Sequence, residues 1–176
     1  MRRSSFVLVV TCLSLVALLS ACAMCPSGRA RAMPTAPAEI KPIIIDSEDS
    51  GGLVEMQGEW PPGVAGGDWG DRCLFAFRGK GECKFVWRPD LPRAGDYRVA
   101  VWFGGDPNAD HATNSPFTVH HEGGKKTYSI DQTRSSDGWR VLGIHPFNAG
   151  KAGAVELTND ANGNVVADAV QFEFVE

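Results

Sequence analysis

The sequence lacks a cluster of basic residues, and its overall charge is mildly acidic. Lysine and arginine together number 17, against 21 aspartate and glutamate residues, so the net charge is −4 at pH 7. Nucleic-acid binding depends on grouped basic side chains that neutralise phosphates, and no such block is present. Nucleic acid is therefore excluded as a partner.

Helical periodicity is also absent after the N-terminal segment. No stretch there keeps an apolar residue on one helical face for three turns. Strand-like alternation is frequent instead, and Tyr97, Val99, Val101 and Phe103 share one face of the clearest example. Glycine-rich turn signals separate such segments. Residues 43–176 are therefore predicted to form one all-β domain, an antiparallel β-sandwich of the jelly-roll type.

Catalytic and metal-binding motifs are missing as well. There is no Gly-x-Ser-x-Gly motif, and the His121-Glu122 pair lacks the second histidine of a zinc protease. The 106–117 segment opens with the oxygen spacing of a calcium loop, but Phe117 stands where that loop needs glutamate. We therefore predict that the protein is not an enzyme and has no cofactor, and we assign no metal site.

The N-terminal segment has the pattern of a bacterial lipoprotein signal peptide, residues 1–21. Arg2 and Arg3 precede an apolar run from Phe6 to Leu19, which is too short to span a bilayer permanently. The run ends in Leu-Ser-Ala-Cys, small residues followed by a cysteine. This pattern predicts cleavage before Cys22 and attachment of lipid to it. The alternative is an ordinary cleavage site with an incidental cysteine.

A lipid on Cys22 would anchor the protein to a membrane. Residues 22–42 contain four prolines and several alanines, which predicts an extended tether between the lipid and the domain. The expected location is the bacterial cell envelope, on the periplasmic or outer-surface side of a membrane.

Two cysteines remain in the domain after this assignment. Cys12 is removed with the signal peptide, Cys22 carries the lipid, and Cys25 has no evident partner. Export leads to an oxidising compartment, so a disulfide between Cys73 and Cys83 is expected. The alternative is that both are small buried residues.

Several segments of the domain resemble one known family, and they occur in that family's order. They are residues 87–99 (Trp-Arg-Pro-Asp-Leu-Pro-Arg-Ala-Gly-Asp-Tyr-Arg-Val), 112–121 (Ala-Thr-Asn-Ser-Pro-Phe-Thr-Val-His-His), 130–132 (Ile-Asp-Gln), Gly138-Trp139 with Leu142-Gly143, and 165–172 (Val-Val-Ala-Asp-Ala-Val-Gln-Phe). The set resembles the golvesin C-terminal-like domain, also described as a xanthan-lyase carbohydrate-binding-like domain. The resemblance implies a β-sandwich accessory module that binds carbohydrate.

Tryptophans are candidates for a sugar-binding surface, because the apolar faces of sugars stack on exposed aromatic rings. Trp87 is expected in the core, whereas Trp60 and Trp69 lie in loop-like sequence and Trp139 follows a glycine. We select Trp69 and Trp139 as the ligand-binding residues. The alternative is that they pack in the interior, as tryptophans in small sandwiches often do.

Asp168 is an unusual residue for its position. Alternation places it on the apolar face of its strand with Val166 and Val170, where an unpaired carboxylate is costly. Either a backbone group or a hydroxyl satisfies it, or it holds a structural calcium together with Asp46.

Two functions follow from these observations. The first is a non-catalytic, membrane-anchored module that binds envelope or extracellular carbohydrate, either a polysaccharide or peptidoglycan. The second is a structural or assembly lipoprotein whose sandwich docks onto another envelope protein. Coplanar exposed tryptophans would favour the first function, and a flat apolar patch would favour the second.

Overall fold

Twelve β-strands account for the regular structure of the described residues. A computed structural model describes residues 40–63, 66–106, 109–136 and 138–175. The strands are β1 (Ile43–Ile45), β2 (Val54–Gln57), β3 (Pro62–Gly63), β4 (Cys73–Ala76), β5 (Lys84–Trp87), β6 (Gly95–Trp102), β7 (Ser115–His121), β8 (Gly124–Ile130), β9 (Arg140–Phe147), β10 (Ala154–Thr158), β11 (Val165–Ala167) and β12 (Ala169–Phe174). No helix with the length and hydropathy of a membrane span occurs in these ranges.

The strands form three antiparallel sheets. The first sheet has the order β1-β12-β6-β9, the second has the order β2-β5-β10-β7-β8, and the third has the order β11-β4-β3. Each pairing within these three sheets is antiparallel. The prediction of an all-β antiparallel sandwich of the jelly-roll type is confirmed.

The alternation in the sequence explains how the sheets pack. In β6, Tyr97, Val99 and Val101 are fully buried, whereas Arg98 is partly exposed and pairs with Glu173 of β12. Successive side chains of a strand point to opposite faces, so the three apolar residues point into the sandwich. Buried apolar side chains from all three sheets form one continuous core.

The chain changes sheet at Asp168. Strand β11 ends at Ala167 in the third sheet, and β12 begins at Ala169 in the first. All residues from 165 to 170 are buried. The regular alternation expected across Asp168 is therefore wrong, because two short strands of different sheets replace one continuous strand.

The first and last strands lie side by side. Ile43 is opposite Phe172, and the pairing continues to Ile45 and Val170. One residue beyond Val170 along β12, Ala169 is opposite Trp102 of β6.

The expected disulfide between Cys73 and Cys83 is absent from the structure, in which both are free cysteines. Cys73 begins β4, which pairs with β3 and β11, whereas Cys83 precedes β5, which pairs with β2 and β10. The two cysteines therefore lie in or beside strands of different sheets. Cys73 is buried, and this burial raises the pKa of its thiol to about 12.

The N-terminal predictions lie outside the described residues. They comprise the signal peptide (residues 1–21), the lipid on Cys22, the role of Cys25 and the tether up to residue 39. They stay predictions.

Candidate functional site

A cleft of about 360 Å³ opens at the three-stranded sheet. Its floor contains alternate residues of one segment, Cys73, Phe75 and Phe77, which share a face because side chains alternate along an extended chain. Neighbouring strands extend the floor, since Gly63 of β3 pairs with Cys73 and Val166 of β11 pairs with Phe75.

Two aromatic rings form the open part of this floor. The ring centroids of Phe75 and Phe77 are 5.4 Å apart, and their planes meet at 82°, an edge-to-face contact. Phe77 is 65% exposed. Gly63 leaves the Phe75 ring accessible, because a Cβ atom at that position would lie only 3.2 Å from the ring. The floor therefore presents aromatic surface to a ligand.

A polar wall stands beside the floor. Its side chains are Asp106, Asp110, His111 and Asn164. Backbone hydrogen bonds fix the wall, because the Asn164 N–H donates to the Asp110 carbonyl at 2.6 Å and the Ala112 N–H donates to the Asn164 carbonyl at 2.8 Å. The cleft thus combines an aromatic floor with a set of hydrogen-bonding groups.

Gln132 supports both the floor and the wall. Its buried side chain donates to the Val166 carbonyl at 2.8 Å and accepts from the Val166 N–H at 2.9 Å and the Ser115 hydroxyl at 2.6 Å. Its backbone carbonyl lies 3.1 Å from His111 Nδ1. A carbonyl can only accept, so Nδ1 carries the proton and the neutral ring keeps Nε2 as an acceptor.

The sequence analysis selected neither this cleft nor Gln132. Its wall comes from segments about 50 residues apart along the chain, such as those of Asp110 and Asn164, and a sequence shows no such proximity. One signal was available: Gln132 ends the Ile-Asp-Gln segment of the family resemblance, next to the apolar alternation of β8.

The structure brings the two selected tryptophans together with a third. Ring centroids of Trp69 and Trp139 are 4.9 Å apart, and Trp102 lies 5.4 Å from Trp69 and 5.6 Å from Trp139. The Trp102 indole N–H donates to the Gly67 carbonyl at 2.7 Å and so fixes the loop that carries Trp69. All three tryptophans are partly exposed.

These tryptophans do not form a flat platform. Their ring planes meet at 47° for Trp69 and Trp139 and at 70° for both pairs that include Trp102. Each ring therefore packs against the others, while part of its surface stays open. The assignment of Trp69 and Trp139 as ligand-binding residues stays a prediction.

The remaining tryptophans lie in the core. Trp87 is fully buried, as predicted, and its indole N–H donates to the Asp168 carbonyl at 3.2 Å. Trp60 is also buried and packs edge-to-face on Phe85 at 5.3 Å. The expectation that loop-like sequence would leave Trp60 open to ligand was wrong, because its indole N–H bonds the Gln57 carbonyl and its ring closes the core.

Asp168 is satisfied by backbone, as one of the two alternatives predicted. Its carboxyl oxygens accept from the Trp69 N–H at 3.0 and 3.3 Å. The pKa of Asp168 is raised to about 8, chiefly by burial and also by the nearby carboxyl groups of Asp68 and Asp46. Asp46 itself accepts from the Glu48 N–H in its own turn, and burial raises the pKa of Asp46 too.

No metal centre is evident in the described part of the chain. Nowhere in it do three His, Cys, Asp or Glu side chains converge in a group that could hold a metal ion. The adjacent histidines of β7 diverge, as strand geometry requires. His120 lies 3.5 Å from the Glu156 carboxylate, whereas His121 stacks on His145 with ring centroids 4.6 Å apart.

Comparison with known proteins identifies the relatives of this domain. Residues 43–174 match the model of the Golvesin C-terminal domain family. A xanthan lyase from Bacillus sp. (strain GL1) is 33% identical over 140 residues, which cover 76% of this chain and 15% of that enzyme. This chain therefore spans only a small part of that relative.

Solved structures give the same relationship. The structure of a Paenibacillus xanthan lyase matches with a TM-score of 0.70 and 33% identity, over 77% of this chain and 13% of that one. A family 35 carbohydrate-binding module from Clostridium thermocellum matches with a TM-score of 0.54 and 16% identity, over 74% of this chain and 98% of the module. The second likeness concerns the fold alone.

Proposed function

Because this chain belongs to the Golvesin C-terminal domain family, we propose that it is a non-catalytic module that binds carbohydrate, and that Phe75 and Phe77 form the floor of its site. The observation that carries the proposal is the cleft at the three-stranded sheet, with two aromatic rings below and four polar side chains beside them. The fold shared with a family 35 carbohydrate-binding module supports it.

The chemistry of a sugar matches this cleft. A pyranose ring has apolar C–H faces and a rim of hydroxyl groups, so it needs an aromatic surface and hydrogen-bonding groups at one place. The volume of about 360 Å³ lies within the range of ~300–1,000 Å³ for small-ligand sites. Phe77 leaves 65% of its surface in water. Covering an exposed ring of this size is favourable by about 1–2 kcal/mol, so a ligand stacked there would gain affinity.

The decisive experiment is an array of immobilised oligosaccharides probed with the full chain in detergent. We expect Phe77→Ala to lose at least tenfold in affinity for the glycans retained. Met56→Ala is the matched control, because Met56 is 56% exposed on β2 and does not line the cleft. Retention of no glycan would overturn the proposal. Binding that survives Phe77→Ala but is lost in Trp139→Ala would move the site to the tryptophan cluster.

We also propose that the module is anchored in the bacterial cell envelope by lipid on Cys22. The support is the charged start, the short apolar run and the small residues before this cysteine. Metabolic labelling with a fatty-acid analogue should mark the unaltered protein and not Cys22→Ala, which should leave the membrane fraction. Equal labelling of the two proteins would contradict the anchor.

A second candidate function is docking onto another envelope protein. The observation in its favour is the edge strand β9, on which Val141 and Ile144 are 53% and 52% exposed. Exposed aliphatic side chains on an edge strand are typical of protein contacts. Cross-linking in cells that depends on Ile144 and not on Phe77, with no glycan retained, would favour this function over the first.

A further inference from the structure

We infer that the cleft accepts sugars that are uncharged or carry an amino group, and that it rejects acidic sugars such as uronates. This inference rests on the proposed function and adds the charge of the ligand. The ionisable side chains among the described residues of the cleft lining are Cys73, Asp106, Asp110 and His111, and neither lysine nor arginine is among them.

The polar wall consists mainly of hydrogen-bond acceptors. The carboxylates of Asp106 and Asp110 accept, and in the uncharged form of His111 the Nε2 atom accepts as well, because the Nδ1 proton is donated to the Gln132 carbonyl. A ligand must therefore supply donors. Hydroxyl and ammonium groups donate, whereas a ligand carboxylate, sulfate or phosphate offers only further acceptors and negative charge.

The wall offers few hydrogen-bond donors to a ligand. Asn164 keeps its amide NH₂ as a donor, since its Oδ1 accepts from the Arg78 backbone N–H at 3.2 Å. The Arg78 side chain is not part of the cleft lining. One neutral amide does not offset two carboxylates for an anionic ligand.

Two cations beside or on the second sheet are paired with carboxylates. On the second sheet, Lys84 lies 3.3 Å from Glu156, and the Arg88 guanidinium lies 2.8 Å from Glu55. This surface has no net excess of cations from these pairs to attract an acidic glycan.

The test compares three oligosaccharide probes by calorimetry on the full chain in detergent: trimers of glucose, glucosamine and galacturonic acid. If the oligosaccharide array shows a preference for another neutral sugar, the trimer of that sugar replaces the glucose trimer. We expect the galacturonate trimer to bind at least tenfold more weakly than the neutral trimer, and the glucosamine trimer to bind at least as tightly. Higher salt should weaken the glucosamine trimer and leave the neutral trimer unchanged.

Asp110 provides the variants, because it is exposed and its replacement is compatible with folding. Asp110→Asn should reduce the preference for glucosamine over the neutral trimer, and Asp110→Lys should strengthen galacturonate binding about tenfold. Galacturonate binding that equals neutral binding and is lost in Phe77→Ala would overturn the charge inference while leaving the proposed function intact. Binding that is indifferent to Phe77→Ala, or absent for every probe, would overturn the cleft as a sugar site and this inference with it.

Discussion

Asp168→Asn tests the electrostatics of the most buried carboxyl group of the fold. The Asp168 side chain is 1% exposed, and burial raises its pKa to about 8 from an ordinary value of 3.8. Asparagine keeps the shape of the side chain and an oxygen that can accept from the Trp69 N–H, but it has no proton to release in this range. The substitution therefore isolates the cost of ionising Asp168.

The sign and size of the effect follow from the two pKa values. The unfolded chain releases the Asp168 proton near pH 4, whereas the folded chain holds it until about pH 8. Between these values the folded state binds more protons, so the free energy of unfolding falls as pH rises. Each pH unit costs about 1.4 kcal/mol, which amounts to roughly 3 kcal/mol between pH 5 and pH 7.5. For a domain of this size the melting temperature should drop by on the order of 10 °C.

Thermal unfolding followed by circular dichroism, on the unaltered protein and on Asp168→Asn, measures this effect. Burial lowers the pKa of His145, so the folded state gains stability as pH rises toward 6.5, and this gain is complete above that pH. His145 is present in both proteins, so the difference between them removes its contribution. A difference in melting temperature that stays constant from pH 5 to pH 7.5 would refute the raised pKa. Repeating the thermal scan with a chelator tests whether Asp46 and Asp168 hold a calcium ion. We expect an unchanged melting temperature.

Two further predictions concern the support of the cleft and the thiols. Gln132→Ala should lower the free energy of unfolding by about 3 kcal/mol, because it leaves the Val166 N–H and carbonyl without their buried partner. Urea titration measures this change. Gln171→Ala, at a partly exposed position, is the control and should change the free energy of unfolding by about 0.5 kcal/mol or less. Peptide mapping without reductant should find Cys73 and Cys83 unlinked, with Cys83 alkylated before the buried Cys73; a cross-linked peptide would contradict the free thiols.

The strand content was predictable because it depends on local alternation. The apolar residues of β6 share one face in the sequence and are buried together in the structure. The resemblance segments were informative for the same reason, since they cover strands and the turns that join them. Trp87, inside one of these segments, lies in the core as expected.

Features that depend on contacts between distant segments were not predictable. Cys73 and Cys83 are only ten positions apart in the sequence, but the strands at these cysteines pair with partners from other parts of the chain. The change of sheet at Asp168 has no local signal, because both flanking strands are equally apolar. Trp102 is on the face of β6 opposite Tyr97, Val99 and Val101, and only the tertiary fold shows that Trp69 and Trp139 pack against it.

The pairing of β1 with β12 sets the direction in which the chain enters the sandwich. The chain enters the sandwich at Ile43, beside Phe172, and β1 runs toward the end of the sheet where Ala169 lies opposite Trp102, four residues before Asp106 of the cleft wall. Three residue steps of β12, about 10 Å, separate Phe172 from Ala169. Strand β1 is an edge strand, so the chain joins the sandwich at an edge of this sheet and leads toward the end of the sheet that precedes Asp106 of the cleft wall.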